Sequence, residues 1–212
     1  VKFPLTRDEK KPRIPEVNLK ELKKDIVFTE HLKGYTFTFH STWGLFSPKR
    51  IDQGTKLLIR HLDVKTDDDC LDLGCGYGAI GCVMARCASR GTTLFIDKDF
   101  TAIEYAQKNV EINGLDNCVV KLSNGLSNVE KKDFDIIAAN LPSNVGKELL
   151  TILLLESKKR LARGGRLYVV TVTGLRKFIK RNLLTIFGTY EKLKQGQNHT
   201  VASAVKKKVK SI

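Results

Sequence analysis

Seven residues, Asp72-Leu-Gly-Cys-Gly-Tyr-Gly78, constrain this chain more than any others. They overlap the end of a short apolar run, Asp69 to Leu73, that reads as a strand. They precede Ala79 to Ala88, a run of small and apolar residues that reads as a helix. A chain that passes from strand to helix through Gly74, Gly76 and Gly78 brings bare backbone to the strand's carboxyl end. In an open parallel sheet, ligands bind there.

The rest of the chain extends that unit. Thr92 to Ile96 reads as a strand, and a helix capped by Asp99 or Thr101 ends at Gly114. Asn117 to Leu122 and Phe134 to Ala139 are further strands, and Gly146 to Leu161 is a helix stopped by Gly164-Gly165. Arg166 to Val172 is a strand, followed by a helix from Gly174 to about Phe187. Two more strands, Thr189 to Leu193 and Thr200 to Val205, are joined by too few residues for a helical crossover, so they pair antiparallel. The expected fold is α/β, a doubly wound, mostly parallel seven-stranded sheet closed by a C-terminal antiparallel hairpin. Ahead of it, Tyr35 to His40 alternates as a strand with Tyr35, Phe37 and Phe39 on one face, and Asp52 to Leu62 reads as a helix. Residues 1–33 read as a basic, extended arm with a short helix over Asn18 to Lys24, and residues 34–212 as the main domain.

The glycine loop alone fits two cofactors. Gly76-Tyr-Gly78-Ala-Ile-Gly81, with Asp97 placed 19 residues beyond Gly78, also matches the dinucleotide pattern. Asp72 favours the other reading. A carboxylate there repels a pyrophosphate and attracts the ammonium of S-adenosylmethionine. Asp97, at a strand end, is placed to accept both ribose hydroxyls, leaving Asp99 as the helix cap, and Ser123-Asn124 lies where the adenine edge would be read.

Phe134 to Ala139 runs into Asn140-Leu-Pro-Ser143. Methyl transfer from a sulfonium is an in-line displacement, and positioning the nucleophile supplies much of the catalysis. An exocyclic amine has a delocalised lone pair. An Asn carbonyl and a neighbouring backbone carbonyl can each accept one of its N–H groups and aim that lone pair, while Pro142 stiffens the turn. The candidate catalytic segment is therefore Asn140, Leu141 and Pro142. No metal is required.

Charge points to the partner. Of the net +14, residues 147–212 hold +13, with sixteen Lys and Arg against three Glu. So lopsided a distribution favours a polyanion. No apolar run approaches the roughly 20 residues of a membrane span, and the five cysteines (70, 75, 82, 87 and 118) form no Cys-x-x-Cys pair. Buried thiols in a reducing cytoplasm fit that pattern.

With these residues in hand, the chain resembles the small-domain class I methyltransferases related to the ribosomal RNA guanine-N2 methyltransferases of the small subunit. The resemblance runs from about Tyr35 to the C-terminus. It is carried by Gly44-Leu-Phe-Ser, Asp52-Gln-Gly-Thr55, Asp72 to Gly81, Asn140-Leu-Pro and Gly146-Lys-Glu148. It implies that Asp72, Gly74, Cys75, Gly76, Gly78, Asp97 and Asn124 hold S-adenosyl-L-methionine, that Asp52, Gly54 and Thr55 lie near its methionine end, and that Asn140 orients the target amine beside the cofactor. Two departures stand out. Leu141 replaces a usual Pro, and Ser143 replaces an aromatic that stacks on the target base, a role that falls to Trp43 or Phe46. Many relatives carry a second, degenerate domain for RNA binding. Here the expectation is that the basic C-terminal face or dimerisation takes that part, whether the chain is a monomer or a homodimer. The same chemistry also serves tRNA guanine, DNA adenine or protein glutamine, and a non-catalytic cofactor- and RNA-binding module is the remaining alternative.

Overall fold

The computed structural model describes residues 18–130 and 133–207, so the first 17 residues of the predicted arm lie outside it. Asn18 caps a short helix α1 (Leu19–Leu22). Two strands follow, β1 (Ile26–Leu32) and β2 (Tyr35–Ser41), paired antiparallel through a two-residue turn. Lys33 and Gly34 both have positive φ, the geometry a tight hairpin demands. The division drawn after residue 33 falls inside this turn. Sequence reading overlooked β1 because its outward positions, Val27, Thr29 and His31, mix apolar and polar types and blur the period of two. On β2, Phe37 and Phe39 are buried while Tyr35, next to the turn, is exposed.

Helix α2 (Gln53–His61) leads into the main sheet. The sheet comprises β3 (Cys70–Leu73), β4 (Thr93–Asp97), β5 (Cys118–Leu122), β6 (Phe134–Asn140), β7 (Leu161–Val172), β8 (Glu191–Gln195) and β9 (His199–Val205), in the order β5-β4-β3-β6-β7-β9-β8. Strands β3 to β7 run parallel to one another, while β9 runs antiparallel to both β7 and β8. This is the mostly parallel seven-stranded sheet with an antiparallel hairpin that the sequence leads one to expect.

Side chains alternate between two cores, as strand geometry requires. Along β6, Ile136 and Ala138 face one core and Ile137 and Ala139 the other. The first core also takes α2, α3 (Ala79–Cys87), α4 (Phe100–Ile112) and the β1–β2 hairpin. The second takes α5 (Lys147–Arg160) and α6 (Arg176–Phe187). Both faces are covered, as a parallel sheet needs.

One boundary departs from expectation. Gly164-Gly165 does not stop α5. That helix ends where Leu161 turns extended, and β7 begins there, five residues earlier than predicted. The glycines sit inside the strand at a register shift against β6. A Cβ on Gly165 would lie 2.7 Å from the Phe134 carbonyl oxygen, so the two backbones approach too closely for a side chain.

Candidate cofactor and catalytic site

Winding reverses between β3 and β6. From β3 the chain crosses through α3 to β4, and from β6 it crosses the other way through α5 to β7. Asp72 is registered with Ala138, so two residues further along, Gly74 and Asn140 leave the sheet side by side. The glycine loop and the Asn-Leu-Pro segment thus flank one crevice, at the switch point where α/β sheets bind ligands.

Gly74, Gly76 and Gly78 all have positive φ, with Gly78 at 90°. Gly81 has a different reason to be glycine. A Cβ there would lie 2.2 Å from the Phe95 ring, so its absence lets α3 settle onto β4. Asp72 is fully buried. Its Oδ2 accepts the Gly81 N–H at 2.7 Å, a remote cap for a helix whose own cap position, Gly78, has no side chain. Its Oδ1 is buried with no hydrogen-bond partner among the described residues. Burial, only partly offset by the Gly81 N–H, pushes the Asp72 carboxyl up to about 7, and the nearby Asp97 charge adds to the rise.

Asp97 bridges the loop to the next helix. Its Oδ2 accepts from Gly76 N at 2.9 Å and its Oδ1 from Asp99 N at 3.0 Å, while Asp99 caps α4 through Thr101 N. Cys75 is buried, and burial first, then Asp72 and Asp97, raise its thiol far above the ordinary range. Two carboxyl groups, Asp72 and Asp97, thus stand beside the glycine loop. Ser123 is buried, donating to Gly125 O and accepting from Asn128 N, and Asn124 is exposed beside it.

Across the crevice, Asp52 caps α2, its Oδ1 accepting from Gly54 N at 2.9 Å and Thr55 N at 3.1 Å. The Asn140 side-chain nitrogen donates to Thr55 Oγ1 at 2.9 Å and lies 3.3 Å from Asp52 Oδ2. A carboxylate can only accept, so this arrangement fixes which end of the Asn140 amide faces α2. The carbonyl Oδ1 turns the other way and takes no hydrogen bond from the described residues. Asp52 and Thr55, assigned by resemblance to the methionine end of the cofactor, are brought against Asn140. Gly54 is pinned as well, because a Cβ there would lie 2.7 Å from the His199 ring. Sequence reading gave His199 no part, and nothing in its surroundings along the chain signals this contact.

Leu141 points into the second core, and its N–H donates to Val170 O at 2.9 Å, a bond that a proline could not make. Pro142 and Ser143 are exposed. Trp43 and Phe46 project from the loop before α2, 48% and 71% exposed, and Lys49 lies 4.9 Å from the Trp43 ring centroid. Tyr77, within the glycine loop, reaches that same loop with its hydroxyl 3.4 Å from Arg50 O. Among the described residues there is no group of three or more metal-ligating side chains, and no helix is long and apolar enough to cross a membrane.

Comparison with known proteins identifies relatives of this chain. The uncharacterized protein YbxB of Bacillus subtilis is 35% identical over 141 residues, covering 66% of this chain and 70% of that protein. The ribosomal RNA large subunit methyltransferase G of Pectobacterium atrosepticum is 29% identical over 207 residues, 93% of this chain and 54% of that protein. The T. thermophilus 16S rRNA N2 methyltransferase RsmC, solved with AdoMet and guanosine, superposes with a TM-score of 0.77 at 27% identity, over 85% of this chain and 50% of that one. The chain thus spans about half the length of these last two proteins. Residues 36–203 match the family described as methyltransferase small domain, and the chain belongs to it.

Proposed function

We propose that this protein is an S-adenosylmethionine-dependent N-methyltransferase acting on RNA, and that its target is the exocyclic N2 amine of a guanine in small-subunit ribosomal RNA. The observation that carries the reading is the grip on Asn140. Its amide nitrogen is bound by Thr55 and Asp52, which leaves its carbonyl end for the target amine in this reading.

S-adenosylmethionine supplies an electrophilic methyl group on a sulfonium. The unpartnered, buried Asp72 Oδ1 and the surrounding acidic residues fit a cationic ligand far better than a pyrophosphate. Gly74, Gly76 and Gly78, all at positive φ, let backbone approach that ligand, and in this reading Asp97 and Asn124 serve its ribose and adenine. Asn140 Oδ1 accepts one N–H of the target amine, and a backbone carbonyl of the Leu141–Pro142 turn accepts the other. The lone pair is thereby held in line with the breaking carbon–sulfur bond. The extra proton leaves to water after transfer, so no strong base is needed. Phe46 and Trp43, exposed before α2, replace the missing aromatic at Ser143 as the base platform. The RNA reading draws on the +13 carried by residues 147–212 and on similarity to two ribosomal RNA methyltransferases.

Methyl incorporation from labelled cofactor into total RNA tests the reaction, with Asn140→Ala as its control. Nucleoside mass spectrometry of ribosomal and transfer RNA from a deletion strain then identifies the nucleotide. Label appearing only in DNA or protein overturns the RNA assignment. Incorporation by Asn140→Ala equal to the parent overturns the role of Asn140.

A further inference from the structure

Away from the crevice, α6 and β8 enclose a groove of about 370 Å³ lined by Arg176, Lys177, Lys180, Tyr190 and Lys192. Four of its five walls are cations. At 3.6 residues per turn, Arg176, Lys180, Lys177 and Arg181 occupy an arc of roughly 140° on α6, flanking the buried arc of Ile179, Leu183 and Phe187. A register shift in β8 between Lys192 and Lys194 accompanies the split of its charges between the two faces. Lys192, paired with Ala202 of the α6-side core, lies on the groove side. Glu191 lies on the other face, where Ser203 Oγ is 3.4 Å from its carboxylate. The one acidic residue of β8 is thus turned out of the groove.

The Arg176 end of the groove lies at the same sheet edge as Asn140. Asn140 is registered with Val170 near the end of β7, and Arg176 follows only four residues after β7 ends. Arg176 reaches Gln195, the last residue of β8, at 2.6 Å. From β6 to β8 is three strand spacings, about 15 Å, a span of a few nucleotides. Cations continue toward the catalytic segment. Arg181 and Lys147 both lie 6.0 Å from the Phe178 ring centroid, and Lys147 begins α5 seven residues after Asn140. Within the groove, Lys180 Nζ stands 5.7 Å from the Tyr190 ring centroid.

We propose that this α6–β8 groove is a phosphate-binding track that anchors the RNA backbone while its target nucleotide enters the crevice at Asn140. The proposal rests on the RNA reading above and locates it. Phosphate contacts position a nucleic acid without reading its sequence, and lysine and arginine on one face supply them.

The test compares three proteins: the parent, R176A/K180A/K192A, and a control, K23A/K65A/K121A, that removes equal charge from exposed sites elsewhere. Affinity for a short fluorescent single-stranded RNA is measured across potassium chloride concentrations, together with cofactor affinity and thermal stability. The groove variant is expected to lose at least about tenfold in RNA affinity, and its slope of log affinity against log salt should fall by about 2, near 0.7 per phosphate contact. Cofactor affinity should match the parent, and the control should bind RNA like the parent. If the groove variant keeps the parent's affinity and slope, or the control loses as much, the track is refuted while the RNA reading stands. If the parent itself does not bind RNA, both fall. Should the triple variant fail to fold, K177A/R181A, which leaves the Arg176–Gln195 contact intact, carries the same comparison with a slope change of about 1.

Discussion

Asn140 is useful only if its amide cannot turn over. Thr55 Oγ1 and Asp52 hold the nitrogen end, so the carbonyl end is the one left for the proposed substrate. Thr55→Val keeps the shape and removes the 2.9 Å acceptor. It should lower kcat about tenfold through misorientation alone, with cofactor affinity unchanged by calorimetry. Asn140→Ala removes the acceptor outright and should cost about 10² to 10³ in kcat, the usual effect of losing one preorganised polar contact to the reacting group. Asp72 makes a prediction of the opposite kind. Its folded-state carboxyl is raised to about 7 from the ordinary value of 3.8, so the charged form is disfavoured in the free protein. The sign follows: this group's contribution to stability is present below pH 4 and is lost as pH rises through about 7. Asp72→Asn keeps an acceptor for the Gly81 N–H. At pH 8 it should melt higher than the parent without cofactor, yet bind S-adenosylhomocysteine at least about tenfold more weakly, because the anion that faces the ammonium is gone. For the parent, the same affinity should climb between pH 6 and 8, as Asp72 ionises.

At the scale of elements, the β1–β2 hairpin is fastened to α4 by side chains that act as a surrogate strand. Asn109 Oδ1 accepts from His40 N at 2.7 Å and its Nδ2 donates to His40 O, while Asn113 repeats the pattern with Thr38. Asn109 is fully buried and also donates to Tyr77 O, so the hairpin and the glycine loop share one residue. Asp25 closes the hairpin's other end. Against the burial that would raise it, Lys108, His40 and Tyr105 hold its carboxyl down to about 2. A depressed carboxylate stabilises above its unfolded value near 4 and loses that contribution as pH falls toward 2. Because the side chain is a quarter exposed, solvent screening limits this to about 1 kcal/mol. Asp25→Asn should therefore lower the melting temperature at pH 7 but leave it near the parent's at pH 2, measured by circular dichroism. The contrast shows what a sequence can disclose. Strands β3, β4, β6 and β7 and helices α3 to α6 are legible because apolar period and glycine punctuation mark them locally. The asparagine latch is not, since Asn109 and Asn113 look like ordinary polar positions of an amphipathic helix until the hairpin lies across them. For the same reason the glycine loop and Asn140 stand out in the sequence, whereas the turning of Asp52 and Thr55 toward Asn140 depends on how α2 packs against β6.

For the whole molecule, the crevice divides the sheet into β3–β4–β5 on one side and β6–β7–β9–β8 on the other. The glycine loop and Asp97 belong to the first half, and Asn140 with the α2 residues that hold it belongs to the second. A ligand seated there touches both halves and adds its binding free energy to the unfolding equilibrium of the whole domain. At a hundredfold excess over its dissociation constant, that addition is about 2.7 kcal/mol. A domain of about 200 residues gains roughly 2 to 4 °C per kcal/mol. S-adenosylhomocysteine at that concentration should therefore raise the melting temperature by about 5 to 10 °C. NAD offers a pyrophosphate to a crevice containing Asp72, and at the same concentration it should raise it by less than about 1 °C. The glycine pattern Gly76-x-Gly78-x-x-Gly81 fits both cofactors, so it cannot make this distinction. Asp72 is the residue expected to make it, and a thermal shift with NAD as large as that with S-adenosylhomocysteine would show that it does not govern which ligand enters.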